Sequence, residues 1–242
     1  MTHIYDDPEF FDAYNKMARS QYGLSGAGEW HAFRALLPDA RDMKVLDLGC
    51  GYGWHAKFLV DNGATCVHAI DASSKMIEKA KSINADKHID YRQEDIETID
   101  FGGPYNLAIS SLVFHYIEDI GSLFQRVYDA LDDDGQFIFT VEHPIFTSHK
   151  SQDFIYESGV PKFFPVDDYF MEGIRETEFL GTKVKKYHHT MTSYFEALVG
   201  AGFTVEKLIE PTPPESMMEI PAMKNELRRP MMLIFKAIKR NY

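Results

Sequence analysis

The chain has 242 residues, of which 45% are hydrophobic and 26% are charged. This composition is typical of a globular protein and excludes a disordered or collagen-like chain, and a chain of this length buries roughly 70–75% of its extended surface without help from disulfides or metals. A net charge of −12 disfavours nucleic acid and anionic membranes as partners, because both repel an acidic protein.

Residues 1–40 predict an N-terminal helical cap. The run MTHIYDDPEFFDAY is acidic and aromatic rather than basic and then apolar, so we expect no signal peptide. Pro8 begins a helical stretch that continues through Ser20, and a second stretch covers 29–37. No stretch has the ~18 apolar residues of a membrane span, and we expect a soluble, cytoplasmic protein.

Residues 44–144 alternate between strand-like and helix-like patterns. Short apolar runs separate amphipathic stretches, one of which repeats apolar side chains at spacings of 3 and 4 from Ile117 to Leu131. Apolar strands that alternate with helices indicate a parallel sheet covered on both faces. The strand-like runs are 45–48, 66–70, 88–92, 107–114 and 136–141.

The alternation stops after Pro144. Residues 145–190 are dense in Phe and Tyr, which argues for packing on an apolar partner rather than for disorder. Within them, 175–179 and 183–189 predict a β-hairpin. Because this insert follows the carboxyl end of the fifth strand, where open α/β sheets bind ligands, we expect a mobile lid that supplies most of the substrate selectivity.

The remaining segment predicts one helix and two strands. The helix covers about 190–201, and strands follow at 204–209 and 231–238, separated by a proline-punctuated loop. A late pair of strands after a five-strand start indicates a reversed, antiparallel strand at the sheet edge.

A glycine-rich turn at 45–53 is the first candidate for function. Its sequence VLDLGCGYG places Gly49, Gly51 and Gly53 after the first strand, where glycines let the backbone approach a ligand. The G-x-G-x-G spacing departs from the dinucleotide fingerprint, and the Asp47 carboxylate disfavours a phosphate but suits an ammonium group. A glycine loop on its own is also compatible with a plain turn.

Two acidic positions add to this candidate site, and each has a structural alternative. Asp71 ends the second strand 20 residues after Gly51, where its carboxylate can accept hydrogen bonds from ribose hydroxyls or cap the following helix. The Glu94–Asp95–Ile96 segment follows the third strand, where a carboxylate can accept from an adenine amino group or lie in an acidic surface loop. The loop and Asp71 together favour nucleoside binding.

These motifs resemble a known family. The run VLDLGCGYG, followed by AIDAS, QEDIE, LAISSLVFHYIED and LDDDGQFIFTV, resembles the class I S-adenosylmethionine-dependent methyltransferases over residues 44–141. More narrowly, YDDPEFFDAYNKMARSQYGLSGAGEW and VEHPIFT resemble bacterial small-molecule methyltransferases of the methyltransferase-11/25 type. The resemblance implies an α/β, Rossmann-like sheet of seven strands in the order 3-2-1-4-5-7-6, with strand 7 antiparallel and helices on both faces.

The resemblance also implies one methyltransferase domain over 1–242. Its parts are an N-terminal helical cap (1–40), a cofactor-binding core (44–144), a substrate lid insert (145–190) and a C-terminal helix with the last two strands (191–242).

The implied cofactor is S-adenosyl-L-methionine, which leaves as S-adenosyl-L-homocysteine. In similar enzymes the glycine loop lines the methionine part, the acid after strand 2 holds the ribose, and an N-terminal Tyr and Arg close over the cofactor carboxylate. The residues that match these roles are Tyr14, Arg19, Asp47, Gly49, Cys50, Gly51, Asp71, Ala72, Met76, Asp95, Ile96, Ser110 and Ser111.

The expected reaction is an in-line transfer of the sulfonium methyl group, in which the protein mainly orients the nucleophile. A base is needed where the nucleophile carries a proton. His115 and His143 follow the fourth and fifth strands and are the catalytic candidates, with His188 and His189 as further possibilities. Each has the alternative of being an ordinary loop histidine. The strand ends carry no pair of Asp or Asn residues that would indicate a metal site, so we expect no metal.

Other functions stay open at this point. The chain could bind S-adenosylmethionine without catalysis, or methylate RNA or protein, although its acidic charge disfavours RNA. The glycine spacing disfavours a nicotinamide dehydrogenase. We expect a small-molecule substrate, no nucleic-acid or membrane partner, and a monomer or homodimer. The sequence does not indicate which acceptor atom is methylated.

Overall fold

A computed structural model describes residues 3–240 of the chain, and its centre is a seven-stranded sheet. Two separate hairpins contain the other four strands. The strands are β1 Lys44–Leu48, β2 Cys66–Asp71, β3 Ile89–Gln93, β4 Tyr105–Ser111, β5 Leu131–Glu142, β6 Ile155–Glu157, β7 Val160–Phe163, β8 Gly173–Phe179, β9 Thr182–His188, β10 Thr204–Ile209 and β11 Met232–Ile238.

The topology of the large sheet confirms the one that the family resemblance implies. The strands lie side by side as β3-β2-β1-β4-β5-β11-β10, which is the order 3-2-1-4-5-7-6 when the seven are numbered along the chain. The first five run parallel, and β11 is antiparallel to both β5 and β10. The carboxyl ends of β1 to β5 therefore meet at one edge of the sheet.

Helices pack on both faces of this sheet. One buried cluster joins the sheet to α6 (Ile120–Ala130) and α8 (Met191–Gly200), and another joins it to α3 (Trp30–Leu36), α4 (Trp54–Asp61) and α5 (Ser74–Ile83). Each of these helices turns an apolar stripe inward. The helices are α1 Pro8–Asn15, α2 Ala18–Tyr22, α3 Trp30–Leu36, α4 Trp54–Asp61, α5 Ser74–Ile83, α6 Ile120–Ala130, α7 Pro144–Ser148, α8 Met191–Gly200 and α9 Pro221–Glu226.

Some boundaries differ from the predictions for physical reasons. The helix predicted from Pro8 to Ser20 is two helices, because Met17 has an extended backbone between α1 and α2. Helix α6 begins at Ile120 rather than Ile117, because the Asp119 carboxylate caps it by accepting from the Ser122 amide.

The insert contains more regular structure than the sequence indicated. The predicted hairpin is confirmed as β8 and β9, and a second hairpin, β6–β7, precedes it. The proline-punctuated loop between β10 and β11 contains a short 3-10 turn and α9. Between residues 3 and 240, none of the helices combines the length and the apolar character needed to cross a membrane.

Candidate functional site

A cavity of about 420 Å³ opens at the carboxyl ends of the parallel strands. We group most of its lining residues into two walls, and the other lining residues include His3, Glu29, Glu97 and Ser111. The glycine-loop wall consists of Tyr14, Arg19, Gly49, Gly51, Asp71, Ala72, Met76, Asp95 and Ile96. The Glu142 wall consists of Tyr5, Val113, His115, Tyr116, Glu142, Phe179, Pro211, Pro213, Met223, Glu226, Met231 and Met232.

The glycine loop leaves space at one position only. Gly49, Gly51 and Gly53 all have positive φ, but a Cβ at Gly49 would lie 2.2 Å from a Val113 methyl and one at Gly53 would lie 2.2 Å from the Tyr91 hydroxyl. A Cβ at Gly51 would meet no atom within 4 Å, and Gly51 borders the cavity. The loop therefore forms a cradle at Gly51 that a ligand can enter.

Asp71 is fixed beside this cradle. Its Oδ2 accepts from the Gly51 amide at 2.9 Å, and its Oδ1 accepts from the Ser73 amide at 2.9 Å. Burial raises the pKa of Asp71, and these two hydrogen bonds oppose that increase. The N-cap of α5 is Ser73, whose Oγ accepts from the Met76 amide. The capping alternative for Asp71 is therefore wrong, and its carboxylate borders the cavity.

The N-terminal segment closes one side of the cavity. The ring of Tyr5 packs edge-on against Tyr14 with 5.2 Å between the centroids. The Arg19 guanidinium donates to both oxygens of the buried Glu29 carboxylate, at 2.8 and 3.1 Å. Asp6 attaches this segment to the start of α5. The predicted residues Tyr14 and Arg19 thus both reach the cavity.

The Asp6 attachment consists of three hydrogen bonds. Its Oδ1 accepts from the hydroxyls of Ser73 and Ser74 and from the Lys75 amide, at 2.7, 3.2 and 3.1 Å. Partial burial favours a higher pKa for Asp6, but the hydrogen bonds outweigh it and the pKa is lowered. The ionised carboxylate is therefore the form that holds the segment in place.

The segment after β3 also reaches the cavity. Asp95 and Ile96 line it, as do Ala72 and Met76 after β2. The Asp95 Oδ1 accepts from the Glu97 amide at 2.9 Å, and the Arg126 guanidinium donates to the Ile96 carbonyl. These contacts fix the turn, so that its carboxylate and backbone face a ligand in one orientation.

Three predicted cofactor residues lie behind the wall instead. Asp47 is 2% exposed, and burial together with the charge of Asp71 raises its pKa to about 7. Cys50 is buried in the core, and the Ser110 hydroxyl donates to the Leu48 carbonyl at 2.7 Å. Of the two predicted serines, Ser111 borders the cavity and Ser110 does not, because successive strand side chains point to opposite faces.

His143 lies outside the cavity lining, although it was predicted as a catalytic residue. It caps α7, where its Nδ1 accepts from the Ile145 amide at 3.0 Å. Its Nε2 lies 2.9 Å from Glu210 Oε1, and its backbone amide donates to the Met231 carbonyl at 2.8 Å. His143 therefore joins the start of the insert to both ends of the loop 210–231.

The centre of the Glu142 wall is a buried polar cluster. Lys186 Nζ donates to Glu142 Oε1 at 2.5 Å and to Gln152 Oε1 at 3.1 Å. His115, the second predicted catalytic residue, does line the cavity. Its Nδ1 accepts from the Glu142 amide at 3.5 Å, and its Nε2 lies 4.0 Å from Glu142 Oε1. Both of its nitrogens thus face Glu142.

The charges in this cluster are set by burial and by one another. Burial lowers the pKa of His115 to about 4, so its imidazole is neutral at pH 7. Burial alone would raise the pKa of Glu142, but His115 and Lys186 reverse the effect and lower it. Sequence reasoning missed Glu142 and Lys186, and the only signal for them was the position of Glu142 at the end of the fifth strand.

The loop 210–231 contributes more of the cavity lining than the insert does. Among residues 3–240, the only lining residue within 145–190 is Phe179. The loop contributes Pro211, Pro213, Met223, Glu226 and Met231.

Two arginines attach this loop to the insert. The Arg229 guanidinium binds the Glu226 carboxylate at 2.6 Å and lies over the Phe146 ring, 4.8 Å from its centroid. Arg228 lies 4.7 Å from the Phe154 centroid and donates to the Pro161 carbonyl at 3.0 Å. The insert therefore acts as a support for the loop. No group of three or more His, Cys, Asp or Glu side chains in the described part of the chain could hold a metal ion.

Comparison with known proteins shows which family this chain resembles in sequence and structure. The family described as "Methyltransferase domain" matches residues 45–135. A protein from Listeria monocytogenes, assigned as an S-adenosylmethionine-dependent methyltransferase, is 42% identical in sequence and has a structure that covers 90% of this chain and 100% of its own, with a TM-score of 0.86. An S-adenosylmethionine-dependent methyltransferase from Mesorhizobium loti is 36% identical, covers 89% of this chain and 100% of its own, and has a TM-score of 0.82.

A further relative has a named substrate. The malonyl-[acyl-carrier protein] O-methyltransferase of Acetivibrio thermocellus is 30% identical over 133 residues. The match covers 54% of this chain and 46% of that enzyme, so this chain spans less than half of that relative's length.

Proposed function

The chain belongs to the S-adenosylmethionine-dependent methyltransferases, and on this premise we propose that it transfers the methyl group to a small organic acceptor. The observation that supports the proposal is the cavity of about 420 Å³ that joins the glycine-loop wall to the Glu142 wall. Cavities of about 300–1,000 Å³ are typical of small-molecule sites. One wall has the features of a cofactor site, which leaves the other for the acceptor.

The residues of the glycine-loop wall fit S-adenosylmethionine. The open cradle at Gly51 gives the ligand access to backbone, and the Asp71 carboxylate beside it suits ribose hydroxyls. The Arg19 guanidinium suits the methionine carboxylate, and Asp95 suits the adenine amino group. When bound, the cofactor would supply an electrophilic sulfonium methyl group, whose carbon an acceptor lone pair would attack in line while the C–S electron pair leaves with sulfur.

The protein's own contribution is alignment and exclusion of water. Orientation of two reactants can account for about 7–11 kcal/mol of a barrier. The N-terminal segment, the loop 210–231 and Phe179 all contribute to the cavity lining, and exclusion of water favours a reaction in which positive charge disperses.

Three alternatives make different predictions. A binding protein without catalysis would hold S-adenosylmethionine but give no methylated product. An RNA methyltransferase would label nucleic acid, against the net charge of −12. A protein or acyl-carrier-borne acceptor would place the label in macromolecules.

A labelled extract distinguishes these possibilities. We would incubate the protein with methyl-labelled S-adenosylmethionine and a bacterial extract, then separate small molecules, protein and nucleic acid. The proposal expects label in the small-molecule fraction, and the Asp71→Ala variant should lose most of it. Label confined to protein or nucleic acid, or no transfer at all despite cofactor binding, would contradict the proposal.

A further inference from the structure

The Glu142 wall presents hydrogen-bond acceptors to the cavity and keeps its cations behind them. Its two carboxylates, Glu142 and Glu226, line the cavity, while their partners Lys186 and Arg229 do not. Among residues 3–240, the lining includes no Lys, and its one Arg, Arg19, is bound to Glu29 and belongs to the other wall.

One of these acceptors lacks a partner. Glu142 Oε1 accepts from Lys186, whereas Oε2 is buried and makes no hydrogen bond to any other described residue. A buried polar atom without a partner is destabilising, so a ligand that donates a hydrogen bond to Oε2 relieves this cost. The Lys186 ammonium, 2% exposed, fixes the direction of the carboxylate.

Glu142 lies at the carboxyl end of β5, beside the segment that follows β4. Thr140 pairs with Ser111 across β4 and β5, and Glu142 lies two residues further along the same edge. His115 and Tyr116, which follow β4, border the cavity beside it. The Tyr116 hydroxyl is engaged with the Tyr5 hydroxyl at 3.2 Å, and both His115 nitrogens face Glu142.

Resting on the proposed function, we infer that Glu142 Oε2 binds the nucleophilic N–H or O–H group of the acceptor, and that this acceptor is a neutral or cationic compound. The acceptor's nitrogen or oxygen forms the bond to the methyl carbon, the C–S bond breaks with its electron pair on sulfur, and the acceptor's proton moves to Glu142 Oε2. The Glu142 wall has no cation for a carboxylate or phosphate next to the reacting atom, so anionic acceptors are excluded.

Ion-exchange separation tests the charge class of an acceptor whose identity is still open. The small-molecule part of a bacterial extract is divided into cation-exchange-retained, unretained and anion-exchange-retained fractions. Each fraction is incubated with the protein and methyl-labelled S-adenosylmethionine. Label in the cationic or neutral fraction supports the inference, and label only in the anionic fraction overturns it.

Two variants test the role of Glu142 itself. Glu142→Gln removes the charge but leaves Lys186 buried without a counter-ion, which can destabilise the fold. The double variant Glu142→Gln with Lys186→Met removes both charges and keeps the side-chain volumes similar. Glu206→Gln, which removes the carboxylate of a different ion pair on β10 outside the cavity lining, is the matched control.

The readouts separate the inference from the proposed function. Calorimetry with S-adenosylhomocysteine should give affinities within about threefold of the parent for all three variants. Labelling of the active fraction should fall at least 100-fold in both Glu142 variants and stay unchanged in Glu206→Gln. Full labelling by the double variant overturns the inference alone. No labelling of any fraction by the parent protein overturns the proposed function, and the inference with it.

Discussion

The two walls of the cavity are built in different ways. The glycine-loop wall is made mainly from segments that follow β1, β2 and β3, and its central contact joins the Gly51 amide to Asp71, 20 residues later. The Glu142 wall depends on side chains that meet only in the folded protein, such as Glu142 and the Lys186 behind it, 44 residues apart. Substitutions in the first wall should therefore act on cofactor affinity, and those in the second on acceptor use or stability.

Substitution of Gly51 gives the strongest test of the difference between the two walls. The Gly51→Val side chain would occupy the cradle, and we expect S-adenosylhomocysteine affinity to fall roughly 100-fold, measured by calorimetric titration. Thermal unfolding should change less than in Gly49→Val, whose Cβ would lie 2.2 Å from Val113. Normal cofactor binding by Gly51→Val would show that the cradle is not where the cofactor lies.

The pH dependence of stability tests the second wall. His115 has a pKa of about 4 when folded and a reference value of 6.5, so the unfolded chain takes up its proton first as the pH falls. The part of the free energy of unfolding that depends on the neutral His115 imidazole is fully present above pH 6.5. It is lost as the pH falls toward 4, and the loss is on the order of 3 kcal/mol. Urea unfolding at several pH values should show a smaller acid loss for His115→Gln. An identical pH profile for both proteins would contradict the burial of a neutral imidazole.

The Asp71→Ala substitution tests how much the Asp71 carboxylate, as a hydrogen-bond acceptor in the first wall, contributes to binding. Loss of a charged acceptor should weaken S-adenosylhomocysteine binding by roughly 1.5–3 kcal/mol, as measured by calorimetry. The melting temperature should fall much less, because Ser73 caps α5. A large drop in melting temperature with unchanged affinity would assign Asp71 to the fold instead.

The smallest effect is expected at Arg229. Arg229→Met keeps an apolar stem over Phe146 but removes a cation–π contact, worth about 0.5–2 kcal/mol, and the partner of Glu226. Amide hydrogen exchange should become faster in α9, while S-adenosylhomocysteine affinity stays within about twofold. Arg240→Met, on the surface beside Glu206, is the control. Unchanged exchange in α9 would show that the loop is held by other contacts.

The sequence predicts the parts that depend on local pattern. The alternation of strands and helices gives the core, and the glycine turn with Asp71 gives the first wall, because backbone geometry fixes both over a short stretch of chain. Errors occur at strand ends, where one step along the chain reverses the side chain. Of the two predicted serines only Ser111 lines the cavity, and at the end of β5 the lining residue is Glu142 rather than the predicted His143.

The second wall follows from contacts that no local pattern contains. Lys186 lies in β9, where buried and exposed residues alternate, and its residue type does not distinguish it from the exposed Lys183 and Lys185. It is buried because β9 packs beside the end of β5, where Glu142 supplies the opposite charge. The loop 210–231 looks irregular in sequence, and its role as cover depends on aromatic rings far earlier in the chain, 74 residues before Arg228 for Phe154 and 83 residues before Arg229 for Phe146.

The contacts of His143 have a consequence for turnover. Because His143 joins the start of the insert to Glu210 and to Met231, and Arg228 and Arg229 join the two segments further out, we expect the insert and the loop to move as one unit. Acceptor entry and product departure then share a single opening step. Where such a step is slow it limits kcat, and we expect kcat to fall with solvent viscosity and to vary little among acceptors of different reactivity.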